Sequence, residues 1–163
     1  MPPSPSSRAA DAVIATAPLA TRWIQRLLQR HDPPLSLGQL AALRAIAAER
    51  LAAAELARRT GVSGSAVSQL VAELEHAGLV RRGTAAGDRR RQELALTPDG
   101  KRVLASASAV LRRGVGDLLA DLPPPEADAL ARGLATVESL LAGTPPPRRP
   151  PPPGPKHRRP PVR

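Results

Sequence analysis

The chain is 163 residues long, carries a formal net charge of +10 and contains no cysteine. That length accommodates one domain with a sizeable core, and the missing thiols exclude a disulfide framework, a thiolate metal site and thiol redox control. Apolar runs stop well short of a membrane span, and the opening MPPSPSSRAAD lacks the charged-then-apolar layout of a secretory signal; a soluble, cytoplasmic protein is expected.

Residues 1–10 are rich in Pro, Ser and Arg, a composition that predicts disorder. From Asp11 a helical pattern sets in, with Leu19, Trp23 and Leu27 on one ridge and Ala20, Ile24 and Leu28 beside it. Pro18 interrupts this pattern: either the helix begins near Thr16 with Pro18 in its first turn, or an earlier segment is kinked there. His31-Asp32-Pro33-Pro34 ends it. Ser36-Leu37-Gly38-Gln39 then reads as a capping box, with Leu35 and Leu40 as its hydrophobic staple, and predicts a helix from about Leu37 to Ala48. A third helix is expected over Ala53–Thr60, closed by Gly61.

The centre of the chain is residues 61–100. A three-residue turn, Gly61-Val62-Ser63, precedes a helix in which Val67, Leu70, Val71 and Leu74 form one apolar stripe, with Ser63 as its cap. The opposite face, Ser65, Ser68, Gln69 and Ala72, is small and uncharged, as suits a helix lying in a groove. Helix, short turn, helix is the spacing of a helix-turn-helix. Gly78 ends the second helix, residues 79–82 read as a strand, residues 83–87 as a turn-rich tip, and the alternation of Gln92, Leu94 and Leu96 with Arg91, Glu93 and Ala95 as a half-buried returning strand. A hairpin at this place makes a winged helix-turn-helix.

Charge supports that view. Six of the ten surplus positive charges lie in residues 144–163, and the other four in residues 79–91, where Arg81, Arg82, Arg89, Arg90 and Arg91 face one acid, Asp88. A cationic segment beside a groove-reading helix points to a polyanion, although a solvated arginine surface would have the same composition. Of the adjacent Arg58 and Arg59, one is expected to meet a phosphate and the other solvent. Ser63 as a helix cap without a nucleic-acid contact is the bland alternative at that position. Three scattered histidines give no metal site, and no cofactor is expected.

Thr97 and Pro98 start the next helix, expected to run to about Leu122, with Gly114 and Gly116 weakening its middle by roughly 1 kcal/mol each; close helix packing or a bend should follow. Pro123-Pro124-Pro125 opens a last helix carrying Leu130, Leu134, Val137, Leu140 and Leu141 and stopping at Gly143. The first, fifth and sixth helices are more apolar than a monomer of this size needs. Residues 144–163 form a basic, polyproline-like tail expected to be disordered and to add non-specific attraction for phosphates.

Two segments, ELARRTGVSGSAVSQLVAELEHAGLVRR over residues 55–82 and DRRRQELALTPDG over residues 88–100, resemble the MarR family of transcriptional regulators. The resemblance implies a mainly α fold with a small β-hairpin wing: a winged helix-turn-helix at about residues 36–97, flanked by dimerisation helices at about 11–31 and 98–142, within a domain spanning 11–143. It implies a DNA-contact set of Arg58, Ser63, Gly64, Ser65, Ser68, Gln69, Ala72, Asp88, Arg89, Arg90 and Arg91. In it Arg90 enters the minor groove, oriented by Asp88, and the helix face meets phosphates and base edges. Gln69 stands where the family often has arginine and Gly64 where it has a bulkier residue; glutamine favours adenine where arginine prefers guanine. The function implied is sequence-specific binding of double-stranded DNA by a homodimer at a pseudo-palindromic operator, as a repressor responsive to a small-molecule effector of unidentified chemistry. With no Tyr or Phe and a single Trp23, an effector pocket has little to stack with. Two other classes compete. An enzyme finds no paired catalytic carboxylates, Ser/His/Asp order or phosphate-binding glycine loop to build on; a winged-helix module docking its arginines on an acidic protein remains the alternative.

Overall fold

The computed structural model of the chain describes residues 4–49, 51–60, 62–85 and 88–143; the side chains of residues 60, 84, 85 and 88–91 fall outside that description. Among the described residues, six helices and one hairpin follow in the order α1 (Pro5–Gln29), α2 (Leu37–Ala48), α3 (Ala53–Thr60), α4 (Gly64–His76), β1 (Val80–Ala85), β2 (Asp88–Leu96), α5 (Pro98–Leu118) and α6 (Pro124–Gly143). The fold is thus mainly α with a two-stranded wing.

The helix α1 starts earlier than composition suggests. Ser4 caps it by accepting the Ser7 N–H at 3.1 Å, Pro5 occupies the first turn, and Pro18 lies inside the helix. Residues 5–10 are therefore helical where disorder was expected: a capping serine followed by proline supplies the start signal that the compositional argument passes over. The helix runs continuously through Pro18, so it does not begin near Thr16. Proline withholds one N–H from the carbonyl of Ile14, and Ile14 is 71% exposed, so water can serve that oxygen.

The capping box of α2 forms as the sequence predicts. Ser36 Oγ accepts the Gln39 N–H at 3.1 Å, and Gln39 Oε1 accepts the Ser36 N–H at 2.9 Å. Leu35 and Leu40, the staple pair, are both buried.

The core draws on every element up to α5: Leu28 of α1, Leu40, Leu43 and Ile46 of α2, Leu56 of α3, Val67, Val71 and Leu74 of α4, Val80 and Leu94 of the wing, and Ala107 and Leu111 of α5. Each fully buried leucine contributes on the order of 2 kcal/mol over its exposed state, so this cluster fixes how α4 and the wing are presented.

The wing is longer than predicted. β1 runs through Gly83 and Thr84 to Ala85, and β2 begins at Asp88, pairing antiparallel from Val80 with Leu96 to Ala85 with Asp88, with an irregularity between Thr84 and Ala85. Gly83 pairs with Glu93 instead of opening a turn. Leu51 adds a bridge to Leu94, whose N–H donates to the Leu51 carbonyl at 2.8 Å, so the base of the wing has a third backbone partner that sequence periodicity gives no sign of.

α5 ends at Leu118, short of the predicted Leu122. At Gly114 the expectation of close packing holds: a β-carbon there would lie 2.7 Å from Leu27 Cδ1 and 3.3 Å from Trp23 Cη2. The described residues divide into two compact units, one up to Asp121 and one from Leu122 onward. The second contains α6, none of whose residues is buried. The expected tail, residues 144–163, lies outside the described residues, as does Gly61.

Candidate nucleic-acid interface

The helix α4 buries Val67, Val71 and Leu74 and half-buries Leu70, which turns Ser65, Ser68, Gln69, Ala72 and Glu73 to solvent. Its N-terminus is built by serines. Ser63 Oγ accepts the Ala66 N–H at 3.4 Å and lies 3.2 Å from Ser65 Oγ, while the Ser68 hydroxyl donates to the Gly64 carbonyl at 2.9 Å. Ser63 is therefore a structural cap, and it remains exposed beside the open first-turn amides, where an anion is favoured. Gly64 is exposed, and a β-carbon there would meet nothing within 4 Å, so close packing does not require glycine at this position.

The exposed face of α4 is less neutral than Ser65, Ser68, Gln69 and Ala72 alone suggest. Gln69 Nε2 donates to Glu73 Oε1 at 3.3 Å, and Glu73 Oε2 accepts from Gln39 Nε2 at 3.5 Å. Glu75, by contrast, meets an arginine: the Arg82 Nε–H points between its two carboxylate oxygens, at 3.1 and 3.0 Å. Arg82 thereby ties the wing to the last turn of α4, and its charge is partly spent inside the protein.

Arg58 and Arg59 share an acid within the protein. Both converge on Glu55, three and four residues earlier, and Arg59 also pairs with Glu49. These two hydrogen bonds hold the Glu55 carboxyl below the usual carboxylate range, Arg58 contributing more than Arg59. The Arg58 side chain nonetheless remains 74% exposed. Asp88, Arg89, Arg90 and Arg91 lie on β2 by backbone, and their side chains are outside the described residues.

The motif Thr97-Pro98-Asp99-Gly100 locks this assembly to α5. Thr97 Oγ1 donates to the Gly78 carbonyl at 2.6 Å and accepts the Gly100 N–H at 2.9 Å, while the Thr97 N–H donates to the Leu79 carbonyl at 3.0 Å. Gly78, at φ 70°, ends α4 in the left-handed region that glycine favours. A β-carbon on Gly100 would overlap the Leu79 carbonyl oxygen and lie 2.9 Å from its carbon, so that glycine is required by contact. One helix start thus holds the strand that follows α4.

A second anchor is absent from the sequence-derived site. His31, buried at the end of α1, has Nδ1 2.8 Å from the Pro33 carbonyl and Nε2 3.0 Å from Ser106 Oγ of α5. In the neutral ring Nδ1–H donates and Nε2 accepts the serine hydroxyl. A lone histidine before two prolines reads as a helix end, and only the tertiary contact with Ser106 exposes its role. Between α2, the wing base and α5 lies an open cleft of about 570 Å³ lined by Ile46, Glu49, Arg81, Leu96, Lys101 and Leu104. Among the described residues no group of three metal-ligating side chains occurs, and no helix is long and apolar enough to cross a membrane.

Residues 31–91 match the MarR family model. The transcriptional regulator HosA of Escherichia coli is 36% identical over 99 residues, spanning 54% of this chain and 71% of HosA. The chain belongs to the MarR family. The transcriptional regulator BldR of Sulfolobus solfataricus superimposes with a TM-score of 0.67 at 29% identity, over 82% of this chain and 94% of BldR. FabT of Streptococcus pneumoniae, solved in complex with DNA, superimposes at 0.69 and 17% identity, over 83% of this chain and 96% of FabT, a likeness of fold. As a MarR-family transcriptional regulator the chain is built on a DNA-binding winged helix, in which α3 and α4 form the helix-turn-helix and β1 and β2 the wing.

Proposed function

We propose that this MarR-family chain acts in the cytoplasm as a homodimeric repressor that binds a pseudo-palindromic operator and is released by a small molecule. The observation that carries the DNA-reading part is the exposed polar face of α4 beside a wing strand bearing Arg89, Arg90 and Arg91. In this reading the first turn, with Ser63, Gly64 and Ser65, meets a phosphate, while Ser68, Gln69 and Ala72 face base edges in the major groove. Arg58 contacts a neighbouring phosphate through its exposed guanidinium. Arg90 enters the minor groove, oriented by Asp88, and Arg89 and Arg91 track the backbone. Two copies related by a two-fold axis would set their α4 helices about 34 Å apart on successive major-groove faces.

The cleft between α2, the wing base and α5 supports the effector part. Its size suits a small ligand, and Arg81 and Lys101 favour an anionic one. Occupancy there would bear directly on the wing through Arg81 and on the first turns of α5 through Lys101.

Selection from a pool of random duplex DNA by the full chain tests the proposal, followed by titration of the selected site with the Arg90→Ala variant. An enriched two-fold site and a loss of about 10-fold or more in affinity are expected, the size associated with losing a charge-assisted hydrogen bond. A pool without enrichment, or indifference to DNA in both proteins, would instead favour a module that docks its arginines on an acidic protein.

A further inference from the structure

Among the exposed side chains of α4, Gln69 alone is a planar amide, able to donate and accept at two points on one base edge. It is also long, and ordering such a side chain at an interface weakens binding by roughly 2- to 12-fold unless it is ordered beforehand. The structure supplies that ordering. Glu73, one helical turn further on, accepts from Gln69 Nε2 at 3.3 Å through Oε1. Its other oxygen accepts from Gln39 Nε2 of α2 at 3.5 Å, and Gln39 is itself fixed by accepting the Ser36 N–H at 2.9 Å. The carboxylate is thus held between two helices, one of them anchored by its capping box.

We propose that Glu73 is a positioning residue for sequence discrimination: it fixes the Gln69 amide so that Oε1 and the second N–H of Nε2 are offered outward together, the pair that matches N6 and N7 of adenine. The inference rests on the assignment of Gln69 as a base reader. It also accounts for an acid on a face turned toward a polyanion. There the negative charge opposes binding to every sequence alike, and what it returns is preference at one base pair per half-site.

The test uses the full chain as wild type, Gln69→Ala, Glu73→Ala and the double variant, each selecting from the same random duplex pool, with base preference at every position read from the bound fraction. Glu73 lies on an exposed helix face, and alanine maintains the helix there. Preference at one position in each half-site is expected to flatten in Gln69→Ala, and to fall by roughly 2- to 12-fold at that same position in Glu73→Ala. Other positions should be unchanged, and the double variant should match Gln69→Ala. Overall affinity of Glu73→Ala for non-specific DNA should rise, a readout that separates charge from orientation. If Gln69→Ala flattens a position that Glu73→Ala leaves intact, the positioning role is overturned while Gln69 stands as a reader. If Gln69→Ala changes no position, the base-reading assignment fails and the positioning role with it. A preference lost in Glu73→Ala alone would make Glu73 itself the reader, for instance of a cytosine amine.

Discussion

Among the described glycines, Gly100 is the one most tightly fixed by its surroundings, because the first turn of α5 crosses the backbone of Leu79 with no room for a β-carbon. The obstructing atoms are main chain, so no rotamer change relieves the overlap. Gly100→Ala is expected to lose about 3 kcal/mol or more of stability, at the upper end of overpacking effects, read as a lowered thermal midpoint. Glu55 gives a pH signature. Its hydrogen bonds to Arg58 and Arg59 lower its pKa in the folded state. The stability this adds is present above the unfolded carboxylate pKa and is lost as pH falls through the lowered folded value. Glu55→Gln should therefore show a shallower loss of stability on acidification than wild type, in parallel melts from neutral pH downward; an unchanged acid slope would mean the pair contributes nothing. Because these side chains are partly solvated, the difference is expected to be small.

At the scale of elements, α4 is set in place by four devices: its own buried stripe, the Ser63 cap, the Glu75–Arg82 pair to the wing and the Thr97 clamp onto Gly78. The capping box of α2 acts one step removed, since Gln39 serves both the Ser36 backbone and Glu73. Ser36→Ala removes the side-chain half of the box and leaves the Gln39 half. A loss of about 1 kcal/mol in denaturant unfolding is expected, with α4 still folded. The wing carries a different lesson. Its outer part extends beyond the turn suggested by Gly83: the ladder pairs Gly83 with Glu93 and Thr84 with Gln92, although glycine inside a strand weakens it.

For the whole molecule, apolar exposure is the outstanding feature. In the first unit, Val13, Ile14 and Leu19 of α1 and Leu118 of α5 are 45%, 71%, 59% and 64% exposed. In the second, α6 exposes Leu130, Leu134, Leu140 and Leu141. A monomer rarely leaves so many large apolar side chains in water, which supports the proposed assembly of two copies through α1, α5 and α6. Sedimentation at micromolar concentration should find a dimer, and a monomer that still bound a two-fold site tightly would overturn it.

The sequence by itself determined the helix-turn-helix, the start of α2, the cap of α5 and the place of the wing. Each is written in local signals: a serine cap at Ser63, the Ser36–Gln39 box, Thr97-Pro98, and apolar spacing along α4. It also marked Ser63, Gly64, Ser65, Ser68, Gln69, Ala72, Arg58 and the Asp88-Arg89-Arg90-Arg91 run as the proposed contact set. Only the tertiary structure decided what Arg58, Ser63, Ser68 and Gln69 are tied to. The meeting of Arg58 and Arg59 at Glu55, the bridge from Leu51 to Leu94, the overlap that demands Gly100, the His31–Ser106 bond and the hold of Gln39 and Glu73 on Gln69 are different in kind. Most join residues brought together by folding, and the rest depend on rotamers that helical spacing permits without choosing. Periodicity reports which face a residue lies on, and the packed core then fixes which partners that face meets.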